Sequence, residues 1–145
     1  MRHFLQRKGA ALFALLFLLA SCGPFISPFS QEAFKSATSL KARSLAIIAK
    51  ADQPYAQHQD AVEQLLVDVD AAYEFAKGRP RNDVSTRLWD TLRDPEENLL
   101  GGFAARWEEQ GRLSTFLAGE SSIQIAEAYD IIICVEVTKK RPADC

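Results

Sequence analysis

Thiols have the most specific chemistry available in this 145-residue chain, which contains three cysteines. Cys22 follows an apolar N-terminal stretch, whereas Cys134 and Cys145 lie near the other end of the sequence. A thiol can be acylated, paired in a disulfide or used as a nucleophile, and the residues around it decide among these fates. The surroundings of Cys22 are the most informative of the three.

The N-terminal stretch has the composition of an export signal. Residues 1–8 carry three basic side chains, and residues 9–20 have no charge. Because a membrane span needs about 20 apolar residues, this shorter run predicts a cleaved signal peptide over residues 1–21. An N-terminal anchor that is never cleaved is the alternative, and the small side chains of Ala20 and Ser21 disfavour it because a signal peptidase requires them.

The stretch Leu19-Ala20-Ser21-Cys22 resembles the lipobox of bacterial lipoproteins, with leucine three residues before the cysteine and two small residues between them. The resemblance implies cleavage after Ser21 and attachment of a diacylglyceryl group to Cys22, often with a further acyl chain such as palmitate. Two or three chains make such an anchor stable, whereas one chain alone is marginal. Gly23, where an aspartate would favour the inner membrane, resembles the class sorted to the outer membrane and facing the periplasm in a Gram-negative envelope. The resemblance covers residues 1–23 alone.

The remaining two cysteines admit three interpretations. With Cys22 acylated, Cys134 and Cys145 form an even pair in an oxidising compartment, and the four residues 141–144 are long enough to turn back, so a disulfide is one interpretation. A buried, unreactive Cys134 with a frayed tail is the second, because disulfide geometry is strict. A nucleophilic Cys134 paired with His58 is the third, although no orienting partner can be identified.

Other chemical motifs are weak. His58 is the only histidine after the leader, and its spacing predicts a structural role beside the core of a helix. No motif has metal-ligand spacing, so we expect neither a metal nor a cofactor. Residues 119–123 are only faintly similar to a G-x-S-x-G turn and lack its second glycine. The following charged residues are interpreted as solvated surface, with a phosphate site as the alternative for the arginines: Asp68, Asp70, Glu74, Arg79, Arg81, Arg87 and Arg93.

Composition limits the partners. Removing 21 of the 145 residues leaves 124, with 14 basic and 19 acidic side chains and a net charge of −5. This length suits one domain. An acidic, exported domain is a poor candidate for binding nucleic acid, and its total charge gives no general attraction to an anionic bilayer.

An extended tether is predicted over residues 22–29, because Pro24 and Pro28 oppose a helix. Phe25, Ile26 and Phe29 have two interpretations: they enter the bilayer interface, or they pack on the domain.

Residues 30–145 are predicted to form an all-α antiparallel bundle of four to five helices. The predicted helices begin at Ser30, Pro54, Asn82 or Asp83, Asp94 and Ser114. The clearest row of apolar residues in the second helix is Tyr55, Val62, Val69 and Ala76. The inner face of the last helix is predicted to be Phe116, Ile123, Ala126, Tyr129 and Ile133. Residues 131–137 are β-branched, but no other stretch alternates as a partner strand would, so a helix is favoured.

The function favoured by these patterns is that of a lipid-anchored, non-enzymatic interaction module of the cell envelope. It would bind an envelope protein, or an apolar ligand held between helices. One alternative is a small envelope enzyme with a site built from carboxylates. The other is a structural spacer at the membrane surface. An exposed apolar surface would favour the binding module.

Overall fold

A computed structural model describes residues 27–145, so the predicted leader, the lipobox-like stretch and the predicted tether up to residue 26 lie outside the described residues. The described residues form five α-helices and no strand, which confirms the predicted all-α class. The helices are α1 (Gln31–Ile48), α2 (Gln59–Gly78), α3 (Asp83–Arg93), α4 (Leu100–Gln110) and α5 (Thr115–Thr138). Within residues 27–145, no helix has the length and apolar character that crossing a bilayer requires.

Four of the helices surround one core. Helix α1 packs on α2 and α5, and α3 packs on the same two helices. Helix α4 contacts α3 and a short 3-10 turn at Tyr55–Gln57, so it covers one end of the four-helix group. The largest fully buried side chains are Trp107, Tyr129, Ile48, Leu65, Leu92, Leu100 and Ile125.

The first two helices agree well with the sequence pattern. The Ser30 hydroxyl accepts a hydrogen bond from the Ala33 amide at 3.2 Å, which satisfies one of the open donors of the first turn of α1. The predicted row on α2 is buried, since Val62 and Val69 are at most 2% exposed. Both helices therefore form because one face is apolar and the start of α1 is capped.

The start of α2 differs from the prediction that the helix begins at Pro54. The structure places the 3-10 turn Tyr55–Gln57 there, and α2 begins at Gln59. The Tyr55 amide donates to the carbonyl of Gly111 at 2.7 Å. This hydrogen bond to the α4–α5 connection holds the segment outside the helix, and it could not be read from local sequence.

The start of α4 also differs, because Asp94 does not begin the helix. Its carboxylate instead accepts from the Glu96 amide at 2.9 Å within a turn, and α4 begins at Leu100. A Cβ on Gly101 would lie 2.1 Å from the Arg93 carbonyl oxygen. The adjacent glycines therefore allow the end of α3 and the turn after it to pack on the first residues of α4.

The face of α5 that enters the core was predicted correctly at Tyr129 and Ile133 but incorrectly at its N-terminal half. Phe116 and Ile123 are 76% and 57% exposed, although both were assigned to the inner face. Tyr129 is buried as predicted. The residues of α5 that are buried in the structure are Ala118, Ile125, Tyr129, Ile132, Val135 and Glu136. Apolar residues surround much of this helix, so periodicity alone could not select the inward face.

Two ends of the bundle can be distinguished. The tether end consists of residues 27–35, 74–87 and 134–145, and the loop end consists of residues 49–58 and 106–119. The loop end is joined by two backbone hydrogen bonds, from Tyr55 to Gly111 and from Leu113 to Ala51 at 2.8 Å. At 1.5 Å per residue, the 20 residues that separate Phe116 from Glu136 place these ends about 30 Å apart along α5.

Candidate functional site

The first described residues are fixed onto the tether end. The Ser27 amide donates to the Arg81 carbonyl at 2.9 Å, and the Arg79 guanidinium donates to the Pro28 carbonyl. The Ser30 amide donates to Glu136 Oε1 at 2.6 Å. Residues 27–30 therefore belong to the folded domain, although they were predicted to be mostly tether.

A buried ion cluster holds this segment in place. Glu136 is 3% exposed, and Arg79 Nη1 lies 3.2 and 3.1 Å from its two oxygens. Lys139 Nζ lies 2.9 Å from Oε1 as an ion pair, outside hydrogen-bond geometry. Burying a carboxylate is costly unless it is paired. We call Ser30, Arg79, Glu136 and Lys139 the clasp, because together they compensate this charge and bind the entering chain.

Two exposed aromatic side chains flank the clasp. Phe29 is 54% exposed, and its ring centre lies 6.3 Å from that of Phe34. Phe75 is 42% exposed, and the Arg79 guanidinium lies 5.8 Å from its ring centre. Arg79 thus contacts both the backbone beside Phe29 and the ring of Phe75, which places apolar surface around a basic group.

A disulfide closes the same end. Cys134 and Cys145 are bonded, with their Cα atoms 5.9 Å apart, a separation within the usual range for a disulfide. The bond ties the C-terminal residue to α5. It joins the clasp region to the tail that carries the ion pair of Arg141 with Asp144.

A small cavity lies beneath the clasp. Asn82 Oδ1 and Ser85 Oγ line it, and neither has a hydrogen-bond partner among the described protein atoms. Its volume of about 10 Å³ is that of a single water position. This space is too small for an organic ligand between the helices.

The loop end carries a different surface. Phe116, Gly119 and Ile123 follow one another at helical spacing on α5, and we call this row the apolar face. A Cβ placed on Gly119 would meet no atom within 4 Å. Glycine in mid-helix costs up to about 1 kcal/mol relative to alanine, and no packing within the described domain requires it here.

His58 and Cys134 do not form a catalytic pair. His58 Nε2 lies 2.7 Å from Gln53 Oε1, and the imidazole packs 5.6 Å from the Trp107 ring at the loop end. Cys134 lies at the tether end in the disulfide. The structure therefore gives His58 the structural role that was predicted and separates it from the thiol chemistry.

The predicted surface charges pair locally. Asp68 binds Arg43, and this hydrogen bond lowers the pKa of the Asp68 carboxyl. Asp70 binds Arg93 at 3.0 Å, and the Arg93 guanidinium lies 4.0 Å from the ring centre of Tyr73. Glu74, the third of these predicted surface carboxylates, lies 3.4 Å from Lys77.

Two of the arginines considered as a phosphate site, Arg79 and Arg93, lie in separate ion pairs and do not converge. Arg79 binds Glu136 in the clasp, whereas Arg93 binds Asp70 and Asp90 on the α2–α3 surface. Residues 119–123 lie inside α5, so they form no catalytic turn. In the part of the chain that the structure describes, no group of three or more potential ligands could hold a metal ion.

Sequence reasoning missed Glu136 and the role of Arg79. The available signal was a glutamate directly after the apolar run Ile131–Val135, three residues before Lys139.

The chain matches no protein-family model, and comparisons with curated proteins and with solved structures found no match.

Proposed function

We propose that this protein is a lipid-anchored interaction module of a bacterial cell envelope. Cys22, acylated after removal of residues 1–21, would attach it to a membrane, and the apolar face on α5 would bind another envelope protein. The leader and the stretch Leu19-Ala20-Ser21-Cys22 support the anchor. In a Gram-negative envelope, Gly23 favours the periplasmic face of the outer membrane.

The exposed apolar face is the observation that carries the binding role. Phe116 is the most exposed large hydrophobic residue among those described, and Ile123 lies two turns further along the same row. Exposed apolar residues that cluster, rather than scatter singly, mark interaction surfaces. The open position at Gly119 would let a partner backbone approach α5 closely. Two large apolar side chains exposed two turns apart on one helix suit contact with a protein partner.

The position of this face suits a partner near the membrane. Five residue steps separate Cys22 from Ser27, which allow at most about 18 Å of extended chain. The apolar face lies about 30 Å farther along α5. It would therefore be presented within roughly 50 Å of the bilayer, away from the end that carries the anchor.

Site-specific photo-crosslinking in native envelopes tests the binding role. A photoreactive amino acid replaces Phe116 in one variant and Val67 in the control variant. Val67 is a matched control because it is also apolar and 61% exposed, but it lies on α2. We expect one discrete adduct of defined mass from position 116, and its loss when Ile123→Ser is added.

Two results would contradict the binding role. The first is that position 116 gives no adduct beyond that of position 67 in protein that is correctly exported. The second is that the adduct persists unchanged with Ile123→Ser, since the proposed face includes this residue.

A further inference from the structure

Charge is distributed unevenly between the two ends. The three segments of the tether end contain eight basic and five acidic side chains, a net charge of +3. Residues 27–145 together have a net charge of −5, so the rest of the domain carries −8. The total charge predicts no attraction to an anionic surface. The charge distribution differs from this total, because one end of the domain is basic and the rest is acidic.

The basic end also exposes aromatic rings. Phe29 and Phe75 lie on either side of Arg79, and each ring is about half exposed. Lys140 is exposed, and the Arg141 side chain is 79% exposed. Exposed aromatic side chains beside lysine and arginine are the combination that binds the interface of an anionic bilayer.

The chain leaves the domain at this same end. Ser27 is 3% exposed and hydrogen-bonded to the Arg81 carbonyl, so the chain enters the described domain at this end. Under the proposed lipid anchor, at most about 18 Å of chain joins Ser27 to the bilayer. The tether end is thereby held beside the lipid surface. Because the anchored chain links this end to the bilayer, even a weak affinity of the tether end for lipid is enough to keep it bound.

We propose that the tether end docks directly on an anionic lipid surface. Phe29 and Phe75 enter the interface, and the exposed basic side chains outside the clasp lie over the phosphate groups. The acidic remainder of the domain is repelled by the same surface, so it points away from the bilayer. This inference rests on the proposed function, because Cys22 supplies the attachment, and it adds a fixed orientation that attachment alone does not require.

Two glycines provide matched positions for probes. A Cβ on Gly78, at the tether end, or on Gly119, at the loop end, would meet no atom within 4 Å, and neither glycine has a positive φ. The variants Gly78→Cys and Gly119→Cys are therefore expected to fold. With Cys22 acylated and Cys134 bonded to Cys145, each variant has one free thiol for an environment-sensitive fluorophore.

The full lipidated chain is inserted into vesicles of phosphatidylethanolamine and phosphatidylglycerol that contain a spin-labelled quencher lipid. We expect the probe at residue 78 to shift its emission to the blue and to lose intensity. The probe at residue 119 should show neither change. When phosphatidylcholine replaces both lipids and the quencher lipid is kept at the same fraction, the quenching at residue 78 should decrease.

Equal emission from both probes in fully acylated protein would overturn the docking surface and leave the anchor intact. Equal quenching at residue 78 in phosphatidylcholine would overturn the assignment to anionic lipid. A blue shift without lipid quenching would indicate a second protein copy on this surface and would also overturn the proposal. Acylation is read separately from the intact mass, so an unmodified Cys22 is recognised as a failure of the proposed function, and the docking inference fails with it.

Discussion

The two ends of the bundle are stabilised in different ways. At the tether end, a buried carboxylate, two cations and a disulfide hold the entering segment and the tail. At the loop end, Trp107 packs 5.6 Å from Tyr55 and donates through Nε1 to the Gln53 carbonyl at 3.1 Å. One end is thus fixed by charge and a covalent bond, and the other by aromatic packing.

The loop end therefore contributes mainly to the stability of the domain, and the tether end mainly to the position of the chain that enters it. Apolar burial is the larger source of folding free energy, whereas a buried ion pair adds little net stability and favours one arrangement. The tether end is where an entering chain must be held in one direction. Its clasp therefore suits orientation, while the loop end supplies stability and displays the apolar face.

Trp107→Ala should have the largest effect on stability. The side chain is fully buried and contacts Tyr55, His58 and Phe103, so its removal should cost about 3–5 kcal/mol in the free energy of unfolding. Urea unfolding measures the loss. Phe116→Ala, at an exposed position, is the control and should change the free energy by less than about 0.5 kcal/mol. A cost for Trp107→Ala as small as that of the control would show that the loop end is not held by this packing.

Arg79→Met should have the next largest effect, because it leaves Glu136 buried with Lys139 as its remaining cation. Removing one partner of a buried pair typically costs about 3–5 kcal/mol, and the Lys139 contact should keep the loss at the lower end. Arg141→Met breaks the exposed pair with Asp144 and should cost no more than about 1 kcal/mol. Comparable losses in the two variants, measured by urea unfolding, would show that the clasp has no special role.

Alkaline pH should weaken the region between the two ends. Tyr129 is fully buried, its hydroxyl lies 2.9 Å from Ser44 Oγ, and burial raises its pKa from 10 to about 12. Because the folded-state pKa is the higher one, its contribution is present below pH 10 and is lost as the pH rises through about 12. The loss should be on the order of 2 kcal/mol. Tyr129→Phe should unfold with a shallower pH dependence over this interval, and an identical dependence would contradict the assignment to Tyr129.

Sequence patterns predicted the buried face of a helix well where only one face is apolar, and poorly where several faces are apolar or where a distant residue makes the contact. Val62, Val69 and Ala76 were assigned correctly because α2 has one apolar face, whereas Tyr55 is buried in the turn that precedes this helix. The inner face of α5 was wrong at Phe116 because that helix is apolar on several sides. The start of α2 depends on Gly111, which is more than 50 residues away.

The main features of both ends depend on contacts between distant parts of the chain, so neither could be predicted from local patterns. The leader and the lipobox-like stretch ending at Cys22 are short, local patterns that lie outside the described residues, so their assignment stays a prediction. The clasp joins Ser30 to Glu136 across 106 residues, so no local pattern could reveal it. Exposure of the apolar face likewise depends on how α5 is rotated in the bundle, which only packing determines.

The intact mass of the protein extracted from membranes tests the central claim most directly. The account predicts a chain that begins at Cys22 and carries a diacylglyceryl group, commonly with a further acyl chain. It also predicts a mass two hydrogens below that of the reduced form, owing to the bond between Cys134 and Cys145. Cys22→Ser should abolish the lipid mass and release the protein from the membrane. A chain that retains residues 1–21, or one that has an unmodified Cys22, would contradict the account.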